Sequence, residues 1–108
     1  MNQTLNCLYN VIVNRKEEPS DKSYTCYLFN QGLNKILKKC GEECSEVIIA
    51  AKDGERNEIK QEICDLLFHL MVLLVDQGIP LEEIEQILDE RSQKIGNLKT
   101  PHKSDPNS

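Results

Sequence analysis

Two short carboxylate pairs stand out in this chain: Glu43-x-x-Glu46 and Glu62-x-x-Asp65. Between them lies Lys52-Asp53-Gly54-Glu55, the turn-like signal of this part of the sequence. If both flanks are helices folded back at Gly54, Glu46 stands eight residues before the turn and Glu62 eight after it, while Glu43 and Asp65 are each eleven away. Each helical residue advances the chain by about 1.5 Å, so equal distance from the turn means roughly equal height in an antiparallel pair. The four acids then meet in two opposed layers. Carboxylates gathered in this way repel one another and lose hydration, and both effects raise their pKa values unless a cation sits among them. All-oxygen ligation suits a hard divalent ion, Mg²⁺ with Mn²⁺ as a substitute. Mg²⁺ keeps several waters and binds substrate phosphates, so one or two ions with open positions are expected, an arrangement that fits catalysis better than a structural role.

Other residues near the pairs extend this chemistry. Glu46 is the candidate for orienting or deprotonating an attacking water. Lys35, Lys38 and Lys39 precede the first pair by one or two helical turns, and Lys52 stands at the turn; each is a candidate for phosphate oxygens. Glu42 and His69 are candidates for the edge of the site. His69 and Lys39 lie fifteen residues on either side of Gly54 and should face each other, although a lone histidine on a buried helix is more often a hydrogen-bonded core residue. A di-iron bundle would need Glu-x-x-His on two helices, and no histidine here follows a glutamate by three. With 18 acidic residues in the chain, a merely solvated helix face is the competing explanation. Against it, the pairs are symmetric about the turn, the first edges an apolar stripe, and the second rides a helix with little free surface.

The helices that must carry these residues follow from hydrophobic spacing. Leu5, Leu8, Tyr9, Ile12 and Val13 predict an amphipathic helix over about residues 4–17, closed by Pro19. Ser23 or Thr25 is placed to cap a short helix through Tyr27, Leu28 and Phe29 that stops near Gly32. From Leu33, the positions Ile36, Leu37, Cys40, Cys44, Val47, Ile48 and Ala51 hold one stripe about 120° wide. Gly41 falls inside this helix, where a close helix crossing, a substrate approach or nothing in particular would account for it, and Gly54 suits the stop. The next helix, about residues 55–77, is apolar around nearly its whole circumference, which implies a central position or a subunit interface. Its polar strip is Glu58, Glu62, Asp65, His69 and Asp76. Pro80 opens a last helix whose stripe of Ile84, Ile87, Leu88 and Ile95 should pack on one side. The expectation is all-α: an antiparallel bundle of four main helices plus a short one, in a single domain over residues 1–96, with a polar, disordered tail over 97–108.

Bulk properties limit the function classes. A length of 108 residues supports one domain with a modest core. A net charge of −5 leaves no basic surplus for a nucleic-acid backbone. Five cysteines with no Cys-x-x-Cys read as reduced, mostly buried thiols in a cytosolic protein. No secretory leader pattern opens the chain, and the longest apolar run is too short to span a bilayer, so no membrane partner is expected.

Several segments together resemble a known family. They are Ser23-Tyr24-Thr25-Cys26-Tyr27-Leu28-Phe29, Gly32-Leu33-Asn34-Lys35-Ile36-Leu37-Lys38-Lys39, Gly41-Glu42-Glu43-x-x-Glu46-Val47, Ala50-Ala51-Lys52 and Glu62-x-x-Asp65-Leu66-Leu67-Phe68-His69-Leu70. Over about residues 5–95 the chain resembles phosphoribosyl-ATP pyrophosphatases, of the all-α NTP pyrophosphatase (MazG-like) superfamily. The acid pairs mark only the superfamily; the tyrosine-rich segment and the Lys-Ile-Leu-Lys-Lys run are more specific. The resemblance implies Mg²⁺-dependent hydrolysis of the α–β phosphoanhydride of phosphoribosyl-ATP to phosphoribosyl-AMP and pyrophosphate, the second step of histidine biosynthesis. It also implies a cytoplasmic homodimer with active sites near the subunit interface, here in the form not fused to the cyclohydrolase of the next step. Cys40, Cys44 and Cys64 depart from the small apolar residues expected there, and Phe68 from a common Tyr. The alternatives are a house-cleaning pyrophosphatase for dCTP, dUTP or modified dNTPs, and a non-enzymatic helical dimerisation module.

Overall fold

The computed structural model describes residues 2–20 and 22–94. They form five α-helices in the order α1 (Asn2–Glu17), α2 (Tyr24–Gln31), α3 (Leu33–Asp53), α4 (Arg56–Asp76) and α5 (Leu81–Ser92), with no strand among the described residues. The fold is all-α, as the periodicity predicts. The tail over 97–108 and Ile95 lie outside the described residues.

Local chemistry sets the helix ends. Of the two candidate caps for α2, the structure selects Ser23, whose Oγ accepts the Cys26 N–H at 3.2 Å; Thr25 is buried inside the helix instead. The loop before α2 is tied down by the Cys26 thiol, which accepts the Ser20 N–H at 3.1 Å and donates to the Arg15 carbonyl at 3.3 Å. Gly54 adopts φ 71°, a left-handed conformation that costs a side chain about 1 kcal/mol. There the Gly54 N–H reaches the Ala51 carbonyl at 3.1 Å and the Glu55 N–H reaches the Ala50 carbonyl at 3.2 Å, satisfying the last carbonyls of α3. The chain reverses at this point, and α3 and α4, 21 residues each, run back along one another as the most extensive helix pair.

One fully buried residue from each of the first four helices centres the core: Ile12, Leu28, Ile36 and Val72. Cys40, Met71, Val75 and Leu81 complete it. Helix α4 touches α1, α2 and α3, which buries Met71, Val72 and Val75, but Ile63, Leu67 and Leu70 on its remaining apolar side stay exposed. No residue between Ala51 and Phe68 is buried. The α3–α4 hairpin therefore emerges from the core as a two-helix arm, with the acids near where it leaves the bundle. No single helix among the described residues is long and apolar enough to cross a membrane.

Four expectations change. The α3 stripe splits: Ile36 and Cys40 are buried and Val47 is half-buried, while Leu33, Leu37, Cys44, Ile48 and Ala51 stay exposed; Ala50, outside the stripe, is buried instead. Helix α5 does not pack along its length, because it leaves α4 at 117° and only Leu81 is buried, with Ile84 half-buried and Ile87 and Leu88 exposed. The cysteines are free, but Cys7, Cys44 and Cys64 are exposed, so they are not mostly buried. No close helix crossing explains Gly41, since a Cβ there would meet nothing within 4 Å.

Candidate metal centre

The mirror arithmetic about Gly54 places the acids on facing sides of the hairpin. Glu43 lies on the α3 face turned toward α4, where its side chain is only 13% exposed. Carboxylate oxygens of Glu43, Glu62 and Asp65 all come within 4.8 Å of one another. Glu46, one turn further along α3, is outside this close group but lines the same open cleft of about 470 Å³ with Lys39, Glu42, Ser45 and the three acids. The sequence-level group of four is thus a group of three with a fourth beside it.

The donor set fits a hard divalent cation. Opposite ligands of Mg²⁺ lie about 4.2 Å apart. A spread of 4.8 Å closes to that through small rotations of flexible side chains. The metal-free electrostatics agree. Glu62 is held above the ordinary glutamate range, first by a hydrogen bond shared with Glu43, then by desolvation and the charges of Glu43 and Asp65. Carboxylates this close repel one another when ionised, and a cation among them relieves that repulsion.

Lys39 is the cation already at the cleft. Its Nζ lies 3.4 Å from Glu42 and 3.9 Å from Glu43. Partial burial pulls its pKa down, but the Tyr24 hydroxyl, Glu42 and Glu43 outweigh this, and the net shift is upward. Lys35 lies apart from the acids with its ammonium 5.8 Å from the centre of the Tyr27 ring. Lys38 and Lys52 are exposed and do not line the cleft.

His69 is buried. Its Nδ1 is 2.7 Å from the Asp65 backbone carbonyl, which can only accept, so Nδ1 carries the proton. Nε2 then accepts from the Tyr24 hydroxyl at 2.9 Å. The bland expectation of a satisfied core histidine is met, with the addition that its partners are a cleft acid and a tyrosine. Burial raises the pKa of Tyr24, with Lys39 and Lys35 opposing and Glu43 reinforcing the shift. Tyr24 and Ser45 at this site escape a reading by carboxylate spacing. For Tyr24 a signal existed: two tyrosines three apart on a short helix present both rings to one side.

Fold and cleft together define an all-helical protein with an open, carboxylate-lined site flanked by a lysine. The chain belongs to the phosphoribosyl-ATP pyrophosphohydrolase family, which it matches over residues 5–92. It is 50% identical over 103 residues to a phosphoribosyl-ATP pyrophosphatase of Clostridium botulinum, covering 95% of this chain and 94% of that protein. A protein of the same name from Streptococcus sanguinis is 52% identical over 94 residues, covering 87% of this chain and 90% of the relative. The histidine biosynthesis bifunctional protein HisIE of Lactococcus lactis is 54% identical over 91 residues, which are 84% of this chain and 43% of that longer protein.

Proposed function

We propose that the chain hydrolyses phosphoribosyl-ATP to phosphoribosyl-AMP and pyrophosphate, a step of histidine biosynthesis, with Mg²⁺ held by Glu43, Glu62 and Asp65 and with Glu46 beside it. The observation that carries this reading is the convergence of three carboxylates within 4.8 Å, in a chain half identical, over nearly its full length, to proteins named for this activity.

When bound, Mg²⁺ supplies charge neutralisation of the polyphosphate, polarisation of the attacked phosphorus and a lowered pKa for a coordinated water. The protein's own residues do the rest. Glu43, Glu62 and Asp65 supply oxygen ligands from two helices, so the rigidity of the hairpin fixes their spacing. Glu46 lines the cleft outside the close group, which leaves its carboxylate available to accept a proton from the attacking water. Water adds across the α–β link, the bridging P–O bond breaks, and pyrophosphate leaves with the bridging electrons. Lys39 at the rim meets phosphate oxygens as a point charge. Its ion pairs with Glu42 and Glu43 hold the ammonium there until substrate arrives.

The reading includes a cytoplasmic homodimer. Supporting it, α3 and α4 leave large apolar side chains exposed, Leu37 and Ile48 on one helix and Ile63, Leu67 and Leu70 on the other, and at about 100° per residue each set lies on the side of its helix opposite the acids. Exposed apolar side chains grouped on one face mark a surface suited to a partner.

The test is a substrate panel. Purified protein with Mg²⁺ is expected to release pyrophosphate from phosphoribosyl-ATP far faster than from ATP, dCTP or dUTP. Preference for a dNTP would overturn the assignment in favour of nucleotide-pool cleaning, and inactivity toward all of them would leave a helical dimerisation module.

A further inference from the structure

Beside the acid cleft, three aromatic rings stand in a row. Tyr24 and Tyr27 lie near-parallel with centroids 6.0 Å apart and planes at 24°. Phe68 from α4 continues the row, 6.1 Å from Tyr24 at 28°. Aromatic rings on a small protein are usually drawn into its core, yet Tyr24 and Tyr27 remain 46% and 44% exposed. Tyr24 is nevertheless firmly held. The Tyr24 hydroxyl donates to His69, the His69 ring packs edge-on against both Tyr24 and Phe68, and the Asp65 carbonyl fixes the opposite nitrogen of His69. Asp65 therefore serves both places, with its carboxylate in the cleft and its carbonyl holding the histidine that orients Tyr24. Lys35 over the Tyr27 ring sets a positive charge at the outer end of the row.

We propose that Tyr24 and Tyr27 form a stacking platform for the purine of the substrate, and that His69 is a positioning residue that locks the Tyr24 ring. The proposal rests on the cleft being the site of phosphoanhydride hydrolysis: the polyphosphate lies over the acids and the purine over the adjacent rings. In phosphoribosyl-ATP the purine carries a phosphoribosyl group besides its own ribose, so part of its hydrogen-bonding edge is covered and its π faces remain for recognition. Rings fixed before substrate arrives lose little entropy on binding it.

The experiment compares the unmodified protein with Tyr24→Leu and Tyr27→Leu, which keep apolar volume and remove the π face. Steady-state kinetics with phosphoribosyl-ATP are read with AMP and inorganic pyrophosphate as inhibitors, and AMP binding in the presence of Mg²⁺ is measured by calorimetry. The KM for phosphoribosyl-ATP and the Kd for AMP are expected to rise about tenfold, the usual effect of losing one base–aromatic stack. The kcat and the inhibition by pyrophosphate should stay within about threefold of the original. Unchanged AMP affinity in both variants would overturn the platform, as would pyrophosphate inhibition weakening in step with AMP. His69→Gln retains an acceptor for the Tyr24 hydroxyl and should keep more AMP affinity than His69→Leu; equal losses in the two would overturn the positioning role. The calorimetric arm needs no turnover. Absent hydrolysis of phosphoribosyl-ATP by the unmodified protein would therefore contradict the hydrolase reading, while AMP affinity separately decides the platform.

Discussion

The Glu62 carboxyl is held above the ordinary glutamate range, first by hydrogen bonding to Glu43, then by desolvation and by the charges of Glu43 and Asp65. This has a signed consequence. A carboxyl whose folded pKa is raised above its unfolded value stabilises the fold at low pH, and that contribution is lost as pH rises from about 4.3 through the folded value. In a metal-free melt, the melting temperature should therefore show this loss on the alkaline side of the ordinary carboxylate range, with Glu43 and Asp65 as the facing charges. If the acids hold the ion, addition of Mg²⁺ at neutral pH should recover it, because an ion that binds only the folded arrangement stabilises it. Identical pH profiles with and without Mg²⁺ would contradict the cluster as a cation site. Removing single charges tests the chemistry: Glu46→Gln and Asp65→Asn are each expected to slow pyrophosphate release by on the order of a hundredfold or more, with far-UV circular dichroism unchanged. Near-normal rates in both would remove the acids from the reaction.

Two glycines, one in α3 and one just after it, make opposite predictions at the level of elements. Gly41 sits within α3 with open space where a Cβ would go, so Gly41→Ala should stabilise the chain by about 0.5–1 kcal/mol. Gly54 holds the left-handed turn at φ 71°, so Gly54→Ala should cost about 1 kcal/mol. Urea unfolding of both variants reads the two signs directly. The α3–α4 hairpin is the element most legible in the sequence. A single turn glycine with acid pairs at equal offsets sets both its register and its facing residues, and the structure brings three of those acids together as that register requires. Helix α5 was legible as a helix but not in its packing. Apolar spacing in Ile84, Ile87 and Leu88 identifies a stripe and says nothing of whether another element reaches it.

For the molecule as a whole, what escaped the sequence was long-range partnership. The mirror count sends His69 toward Lys39, yet its hydrogen bonds go to Tyr24 and to the Asp65 carbonyl. Tyr24 comes from an element 45 residues away, and no spacing rule within α4 could supply it. The same limit applies to the stripe of α3, whose buried and exposed halves are decided by where α1, α2 and α4 end. The exposed half, with Leu37 and Ile48, joins Ile63 and Leu67 of α4 in the face proposed to close the homodimer. Leu67→Glu or Leu37→Glu should convert a dimer to monomer in analytical ultracentrifugation. A single species of monomer mass for the unmodified chain at micromolar concentration would contradict that face as an interface.

Glu43, Glu62 and Asp65 are proposed to hold a divalent cation, and this is read most simply as binding of Mn²⁺ through the loss of its free-ion paramagnetic resonance signal. The unmodified protein should bind Mn²⁺ and release it to excess Mg²⁺, and Asp65→Asn and Glu62→Gln should each weaken binding about tenfold or more. Equal Mn²⁺ affinity in all three proteins would rule out a cation site at these acids.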